Sequence, residues 1–302
     1  QGESVRVKGF AALYAAATLF AFVSLAVKLA SRSFAGYFVS GMRFAMGVAL
    51  CLGVLFWRYR GLRMVKPQWV ILRGLTGAVS MVASYMAISL TGPGRATLLS
   101  NTYPLFVAIF SALLFGERLR PRTLVSVIVC TAGAALVMKD GSGASLSGDL
   151  LALASAVFAG FAVNFVRKAS SAGDNPFILY LSPCVFGLPV LAFAPAPTGA
   201  PGVLSIAFLV FVGVGSFLAQ ALMSVGYRSV PANRGSVVFY WETALTVLLG
   251  IAFAGEEPNL RFLVGVAVIL AGLWLNSEWS LKRRDRGASG DVPNDAMDRP
   301  GV

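Results

Sequence analysis

The sequence predicts an all-α integral membrane protein: ten transmembrane helices arranged as two five-helix repeats of inverted topology. Three observations carry that prediction. Of 302 residues, 57% are hydrophobic and 13% charged, with mean hydropathy +0.76, more apolar surface than a water-soluble core can enclose. Apolar runs of about 20 residues, the length that crosses a hydrocarbon core, fall at 9–30, 36–57, 70–90, 96–115, 122–138, 148–166, 177–194, 203–226, 235–254 and 261–278. Slid against itself without gaps at an offset of 139, the chain also matches itself at both ends of each half.

Each run ends at a charged or Gly/Pro-rich break, as at RYRGLR (58–63), TGPG (91–94), GERLR (116–120), KDGSG (139–143) and GEEPN (255–259). Nearly the whole chain is thereby placed in or beside the bilayer, and no soluble domain is left over. The organisation reads as an N-terminal segment 1–8, a first repeat 9–138, a second repeat 148–278 and a disordered tail 282–302 whose composition lacks apolar periodicity. The repeat itself places GERLRPRTLVSVIVCTAGAAL, from Gly116, on GEEPNLRFLVGVAVILAGLWL, from Gly255, with 10 of 21 positions identical. It places Gly9–Ser31 on Gly148–Ser170 with 7 of 23 identical, Lys28 meeting Arg167 and Arg95 meeting Arg234. Five spans per half is an odd number, so the second copy enters the membrane from the opposite face. Inverted repeats of this kind are the architecture of alternating-access carriers, with the solute site near the midplane between the halves.

A net charge of +12 would point to nucleic acid in a soluble protein, but here its distribution matters more than its sum. With the N-terminus in the cytoplasm, 19 of the 25 Lys and Arg fall on that side, as the positive-inside rule requires. Both termini are therefore expected in the cytoplasm. The expected partners are a small-molecule substrate and the lipid bilayer, with no nucleic acid, and the chain is read as a monomer.

The residues also resemble a known family. RFA at Arg43–Ala45, TYPLF followed by LLFGERL from Thr102 to Leu119, and WETAL followed by AFAGEE from Trp241 to Glu257 are similar, in order and in duplicate, to the EamA-type ten-helix members of the drug/metabolite transporter (DMT) superfamily. The resemblance covers residues 9 to 278. It implies a gradient-driven solute exporter of the bacterial inner membrane, and within the family the chain is similar to the YddG-type exporters of aromatic and other large neutral amino acids. One departure is Glu242-Thr243 where the family usually has Glu-Pro, although Pro104 is present in the first half.

Site candidates are the polar side chains that hydrophobicity alone would not place in a span: Tyr85, Asn101, Tyr103, Asn164, Gln220, Tyr240 and Glu242, with Ser80 and Ser84 beside them. Asn101, Tyr103 and Pro104 share a half-helix in which the missing proline N–H and the restricted residue before it would open backbone carbonyls toward a cavity. A neutral amino acid needs acceptors for its ammonium, donors for its carboxylate and an apolar or aromatic surface for its side chain. Glu242, Asn101 and Asn164 could meet the first two needs, and Tyr85, Tyr103, Tyr240, Trp241, Phe20 or Phe161 the third. Structural readings compete at each position. Amides within spans often bond a neighbouring helix, Trp57, Trp69, Trp274 and Trp279 fit interface anchors, and Gly74, Gly77, Ser80 and Ser84 form a close-packing stripe. For Arg43, snorkelling to the outer face competes with an ion pair to Glu242.

Glu242 is the one midspan carboxylate, so it is the coupling candidate if a proton gradient drives the protein. The chain has no histidine and no P-loop, which removes a His relay and direct ATP drive. No cofactor and no metal set is expected, since Cys51, Cys130 and Cys184 each sit alone inside a span. Enzyme chemistry would need paired acids, a metal set or a nucleophile with its base, and the sequence offers none. The offset of 139 places Glu242 opposite Tyr103, so the two halves present a carboxylate and a phenol at equivalent positions.

Overall fold

The computed structural model of the chain describes residues 2–59, 64–116, 121–138, 145–194, 201–230, 232–256 and 259–288. Regular structure among them is helical throughout: α1 (Gly2–Ala30), α2 (Gly36–Val54), α3 (Pro67–Thr91), α4 (Pro93–Ser100), α5 (Tyr103–Phe115), α6 (Pro121–Met138), α7 (Leu146–Ser171), α8 (Pro176–Gly187), α9 (Val203–Ser229), α10 (Ala232–Leu249) and α11 (Leu260–Ala288). Short π-helical turns at Leu55–Tyr59 and Gly250–Ala254 prolong α2 and α10, and a 3-10 segment at Leu188–Phe193 prolongs α8. Seven segments among the described residues are long and apolar enough to cross a membrane, and three shorter apolar helices, Val125–Met138, Val238–Ala254 and Leu260–Gly272, fall on the other predicted runs.

Sequence explains most of the boundaries. Prolines open α3, α4 and α8, where the missing N–H has no partner to lose. Ser145 caps Gly148 N at 3.4 Å and Asn175 caps Phe177 N at 2.9 Å. Gly116 and Gly255, which the offset aligns, end α5 and the turn after α10 in the left-handed region at φ 66° and 76°, a conformation that glycine adopts without a steric penalty. Two boundaries differ from the sequence reading. The fourth span is two helices, α4 and α5, with a break at Asn101–Thr102, and α11 carries on as far as Ala288, so the start of the tail segment is helical. The remainder of that tail lies outside the described residues.

The outside of the bundle is apolar, with Leu113, Ile128, Val203, Leu248 and Phe253 all more than 60% exposed. In water such a belt would drive aggregation, whereas in lipid it is the solvated face.

The packing exchanges the two halves. α3 lies along α7, and α9 lies along α1; α2 packs on α9 and α8 on α3; α6 packs on α11, its own counterpart. Contacts repeat at residue level. A Cβ on Gly148 would strike Leu90 and Thr91 at the end of α3, and one on Gly9 would strike the aligned pair Ser229 and Val230 at the end of α9. Between α6 and α11, a Cβ on Gly133 would meet Ile269 Cγ1 at 2.7 Å and one on Gly272 would meet Cys130 Sγ at 2.6 Å, while Cys130 Sγ contacts Ile269 O at 3.6 Å. Cys130 and Ile269 are themselves aligned by the offset, so the pseudo-two-fold axis passes between these two helices. Small residues let the backbones approach where lipid supplies no hydrophobic drive.

Gly133→Ala is expected to lower stability by about 1–3 kcal/mol through overpacking of this seam. Gly53, which has nothing within 4 Å of an added Cβ, is the control. Gly53→Ala should leave the melting temperature in detergent unchanged or raise it, since alanine is favoured by roughly 0.5–1 kcal/mol in a helix.

Candidate functional site

The break between α4 and α5 positions the centre of the site. Pro104 has no N–H to donate to the Ser100 carbonyl one turn earlier, and it sits in the first turn of α5 with the helix interrupted before it, at Asn101 and Thr102 (φ/ψ −74°/4° and −74°/−5°). Thr102 Oγ1 donates to Leu99 O at 2.7 Å, satisfying a carbonyl near the break. Asn101 Nδ2 donates to Thr243 Oγ1 at 2.7 Å, and Thr243 donates to Phe239 O at 3.3 Å. Thr243 is the residue that the offset places opposite Pro104. The ninth span stays helical through it, as expected where proline is replaced, and the hydroxyl it offers instead ties the two central helices together.

Around this junction lies a cavity of about 260 Å³ walled by α1, α2, α3, α4, the start of α5, α7, α9 and α10. Five of the sequence candidates line it: Tyr85, Asn101, Tyr103, Gln220 and Glu242, together with Phe20, Ser80 and Ser84. Tyr103 and Glu242 are near enough to couple electrostatically. Tyr85 shares a hydrogen bond with Ser216 at 3.2 Å, and Ser80 donates to Ser155 O at 3.0 Å, so these side chains are both packing contacts and wall. The Glu242 carboxyl has no hydrogen-bond partner among the described residues; only its main-chain carbonyl is engaged, by Thr246 Oγ1 at 2.7 Å. A second cavity of about 290 Å³ shares Gln220 with the first and is lined by Arg73, Ser170, Pro176, Tyr180 and Ser224. It reaches the end of the bundle where α3 and α8 begin and α7 and α9 finish.

The opposite end is bound shut. Arg95 of α4 grips Asp149 of α7 with Nε to Oδ1 at 2.7 Å and Nη2 to Oδ2 at 2.6 Å, at 4% and 0% exposure. A buried bidentate pair of this kind satisfies both groups. Lys28 Nζ donates to Ser89 O at 2.9 Å. Glu256, in the connection between α10 and α11, reaches back to accept from Gly94 N at 2.9 Å. A Cβ at Gly92, Gly94 or Gly250 would run into its carboxyl, so three glycines from two elements form a cradle for one side chain. Sequence reading missed Glu256 because it stands in a loop and its partners are distant in the chain; the GEE doublet was the only local trace.

Other candidates lie elsewhere. Asn164 is fully buried in the α5–α7 seam, with Nδ2 donating to Val107 O and Gly160 O at 3.0 Å, and it is not on the cavity wall. Tyr240 packs against the main apolar cluster. Trp241 faces outward, its Nε1 donating to Thr18 Oγ1 at 3.1 Å, and Phe161 stacks on Phe110 at 3.6 Å. Trp57 and Trp274 are exposed, whereas Trp69 is packed, stacking on Phe165 at 5.9 Å; the Trp279 side chain lies outside the described residues. Arg43 neither snorkels nor pairs with Glu242. It turns inward, 4% exposed, onto the wall of the central cavity, because Met81, Tyr85 and Tyr180 of α3 and α8 cover it.

A helical, lipid-facing bundle whose two halves enclose a cavity of solute size, largely apolar with a few polar side chains on its wall, is the form of a membrane carrier. The EamA-like transporter family matches the chain twice, at residues 7–139 and 146–277, and the protein belongs to that family. Among its relatives, the pseudopaline exporter CntI of Pseudomonas aeruginosa is 27% identical over 262 residues, covering 85% of this chain and 92% of that one. The riboflavin transporter of Rhizobium johnstonii is 25% identical over 238 residues, covering 74% and 76%. The human solute carrier family 35 member G1 is 24% identical over 254 residues, covering 77% and 69%. A solved structure described only as "crystal structure of protein" superposes with a TM-score of 0.59 at 22% identity, covering 93% of this chain and 98% of that one, and so shares the fold.

Glu256 gives the closed end a pH signature. Burial pushes its carboxyl up to about 7, opposed in part by the N–H groups of Gly94 and Arg95 and by the charges of Lys28 and Arg95. The unfolded chain titrates near 4.3, so the folded state holds the proton more tightly. This contribution to stability is fully present below about pH 4.3 and is lost as pH rises through about 7. Glu256→Gln, which keeps an acceptor for Gly94, should flatten the fall in melting stability between pH 5 and 7.5 by about 1–3 kcal/mol.

Proposed function

We propose that this protein is a secondary transporter that exports small metabolites, aromatic or other large neutral amino acids foremost, across the bacterial inner membrane by alternating access. The observation that carries the reading is Glu242: a midspan carboxyl on a cavity wall, unbonded among the described residues, faced by a phenol from the other half. A group so placed is costly unless a solute or a proton engages it. The volume agrees, since about 260 Å³ lies just under the ~300–1,000 Å³ of drug-sized sites and suits a solute of amino-acid size. Named relatives that handle a pseudopaline and a riboflavin leave the choice of solute to the cavity of each chain.

The positive-inside bias puts both termini, and the end reached by the second cavity, in the cytoplasm. On that orientation the two repeats are inverted, the Arg95–Asp149 end is the closed external side, and the cavity is loaded from the cytoplasm, as an exporter requires. The protein works on a small-molecule substrate within the bilayer as a single chain, without a cofactor or nucleic acid, and no catalysis is assigned to it.

Purified protein in liposomes, given an imposed proton gradient and a panel of amino acids, should move an aromatic substrate uphill. Glu242→Gln should lower that rate at least tenfold and flatten its pH dependence, while the melting temperature stays within a few degrees of wild type. A variant with wild-type rate and pH profile would remove Glu242 from the mechanism. Strictly downhill movement by the wild type would instead favour a passive facilitator.

A further inference from the structure

Three of the five buried side-chain polar atoms that lack a partner among the described residues sit together: Arg43 Nε, Arg73 Nε and the Tyr180 hydroxyl. Two are guanidinium donors and the third is a phenol, able to donate or accept, beside the Cys184 thiol; they come from three adjoining helices, α2, α3 and α8. Arg43 Nη1 finds a weak acceptor in Met81 Sδ at 2.8 Å, its guanidinium also engages the Tyr85 side chain, and it stands 5.7 Å from the Tyr85 ring and 5.9 Å from the Tyr180 ring. Its electrostatic neighbours are these two phenols and the Cys184 thiol, with no carboxylate among them. Arg73 makes no described hydrogen bond or ion pair; its neighbours are Cys184 and Arg43 itself. Its guanidinium lies where a Cβ on Gly77 would be, so the small residue at 77 makes room for it.

The four acids with described side chains are otherwise disposed. Asp149 holds Arg95, Asp174 accepts from the main chain of Val65 and Lys66, Glu256 caps α4, and Glu242 lines the cavity without touching either arginine. Two like charges thus share a low-dielectric region with no paired carboxylate among the described residues, an arrangement that a purely structural role would penalise. Arg43 faces the central cavity and Arg73 the second one, with Gln220 common to both.

We propose that Arg43 and Arg73 form an anion site in which Arg43 takes the carboxylate of the transported solute and Arg73 receives it on the way in. The guanidinium fork matches a carboxylate bidentately, and two guanidiniums, which carry positive charge and no acceptor, favour an anion over a cation there. With Glu242 on the same cavity wall as a separate acceptor, the solute class is a small carboxylate that also carries a positive or hydrogen-bond-donating group. This inference rests on the reading of the central cavity as the solute site, and its test does not need transport.

Binding of phenylacetate and of its neutral analogue phenylacetamide to the purified full chain is measured by titration. Wild type should prefer phenylacetate by about tenfold or more, the scale of a charge-assisted bidentate contact. Arg43→Met should abolish that preference while leaving phenylacetamide affinity within about threefold, and Arg43→Lys should recover part of it. The melting temperature of Arg43→Met should be no lower than wild type, since an unpaired buried charge has been replaced by an apolar chain of similar volume. Equal affinity of wild type for the two probes, no binding of phenylacetate, or an unchanged preference in Arg43→Met would overturn the proposal. Failure of uphill amino-acid transport with this preference intact would overturn the transport reading alone.

Discussion

A backbone amide or carbonyl left without a partner in hydrocarbon costs several kcal/mol, and nothing in the bilayer can relieve it except the protein. This constraint shapes the whole molecule. It makes every described span a helix, and it confines the break between α4 and α5 to a place enclosed by α7 and α10, with Thr102 taking up a carbonyl there. Side chains obey the same rule. Arg95 is answered by Asp149, Lys28 by a main-chain carbonyl, and Ser80 by Ser155. Of the polar groups that break the rule, Ser126 and one oxygen of Glu256 lie apart, while Glu242, Arg43, Arg73 and Tyr180 each line one of the two adjoining cavities.

The scaffold is close to two-fold while its chemistry is not. The offset of 139 pairs Glu242 with Tyr103, Arg43 with Ser182, Arg73 with Val212 and Asp149 with Phe10. The last pairing matters for the cycle. If the halves were chemically equal, the two ends of the bundle would close with equal ease, and neither state would be favoured. Under the proposed alternating access, a buried bidentate ion pair at one end, with a phenylalanine at the equivalent place on the other, would bias that equilibrium toward closure at the Arg95 end. Opening there requires separating two groups that are otherwise buried without water, which is expensive for each.

Much of this was legible in the sequence because the physical signals are local or periodic. Bilayer thickness fixes span length, and an offset without gaps exposes the repeat. Polarity within an apolar run picked out Asn101, Tyr103, Gln220 and Glu242, which do meet in one cavity. The same signal also picked out Asn164, whose amide serves helix packing; a polar residue in a span looks identical whether it turns toward a seam or a cavity. Arg43 was visible as a basic residue inside a span, but its direction depends on Tyr85 and Tyr180, far away in the chain. Glu256 was hidden for a related reason. Its cradle is made of Gly92, Gly94 and Gly250, each of which alone reads as a turn or a helix-packing glycine.

The separation of Arg43 from Glu242 within one cavity has an energetic logic. A direct ion pair between them would satisfy both groups, stabilise the empty protein and occupy the space that a solute must enter. Held apart, each when ionised is destabilised by burial and has a donor or acceptor capacity that the protein itself does not fill. A solute bearing complementary groups at its two ends relieves both at once, and one bearing a single group relieves only half. Selectivity then follows from leaving polar groups unpaired when the wrong solute binds, the same physics by which sites built for hydrogen bonding reject analogues that lack one. On the proposed reading of the cavity as the solute site, the stability forgone in the empty state is the source of discrimination in the loaded one.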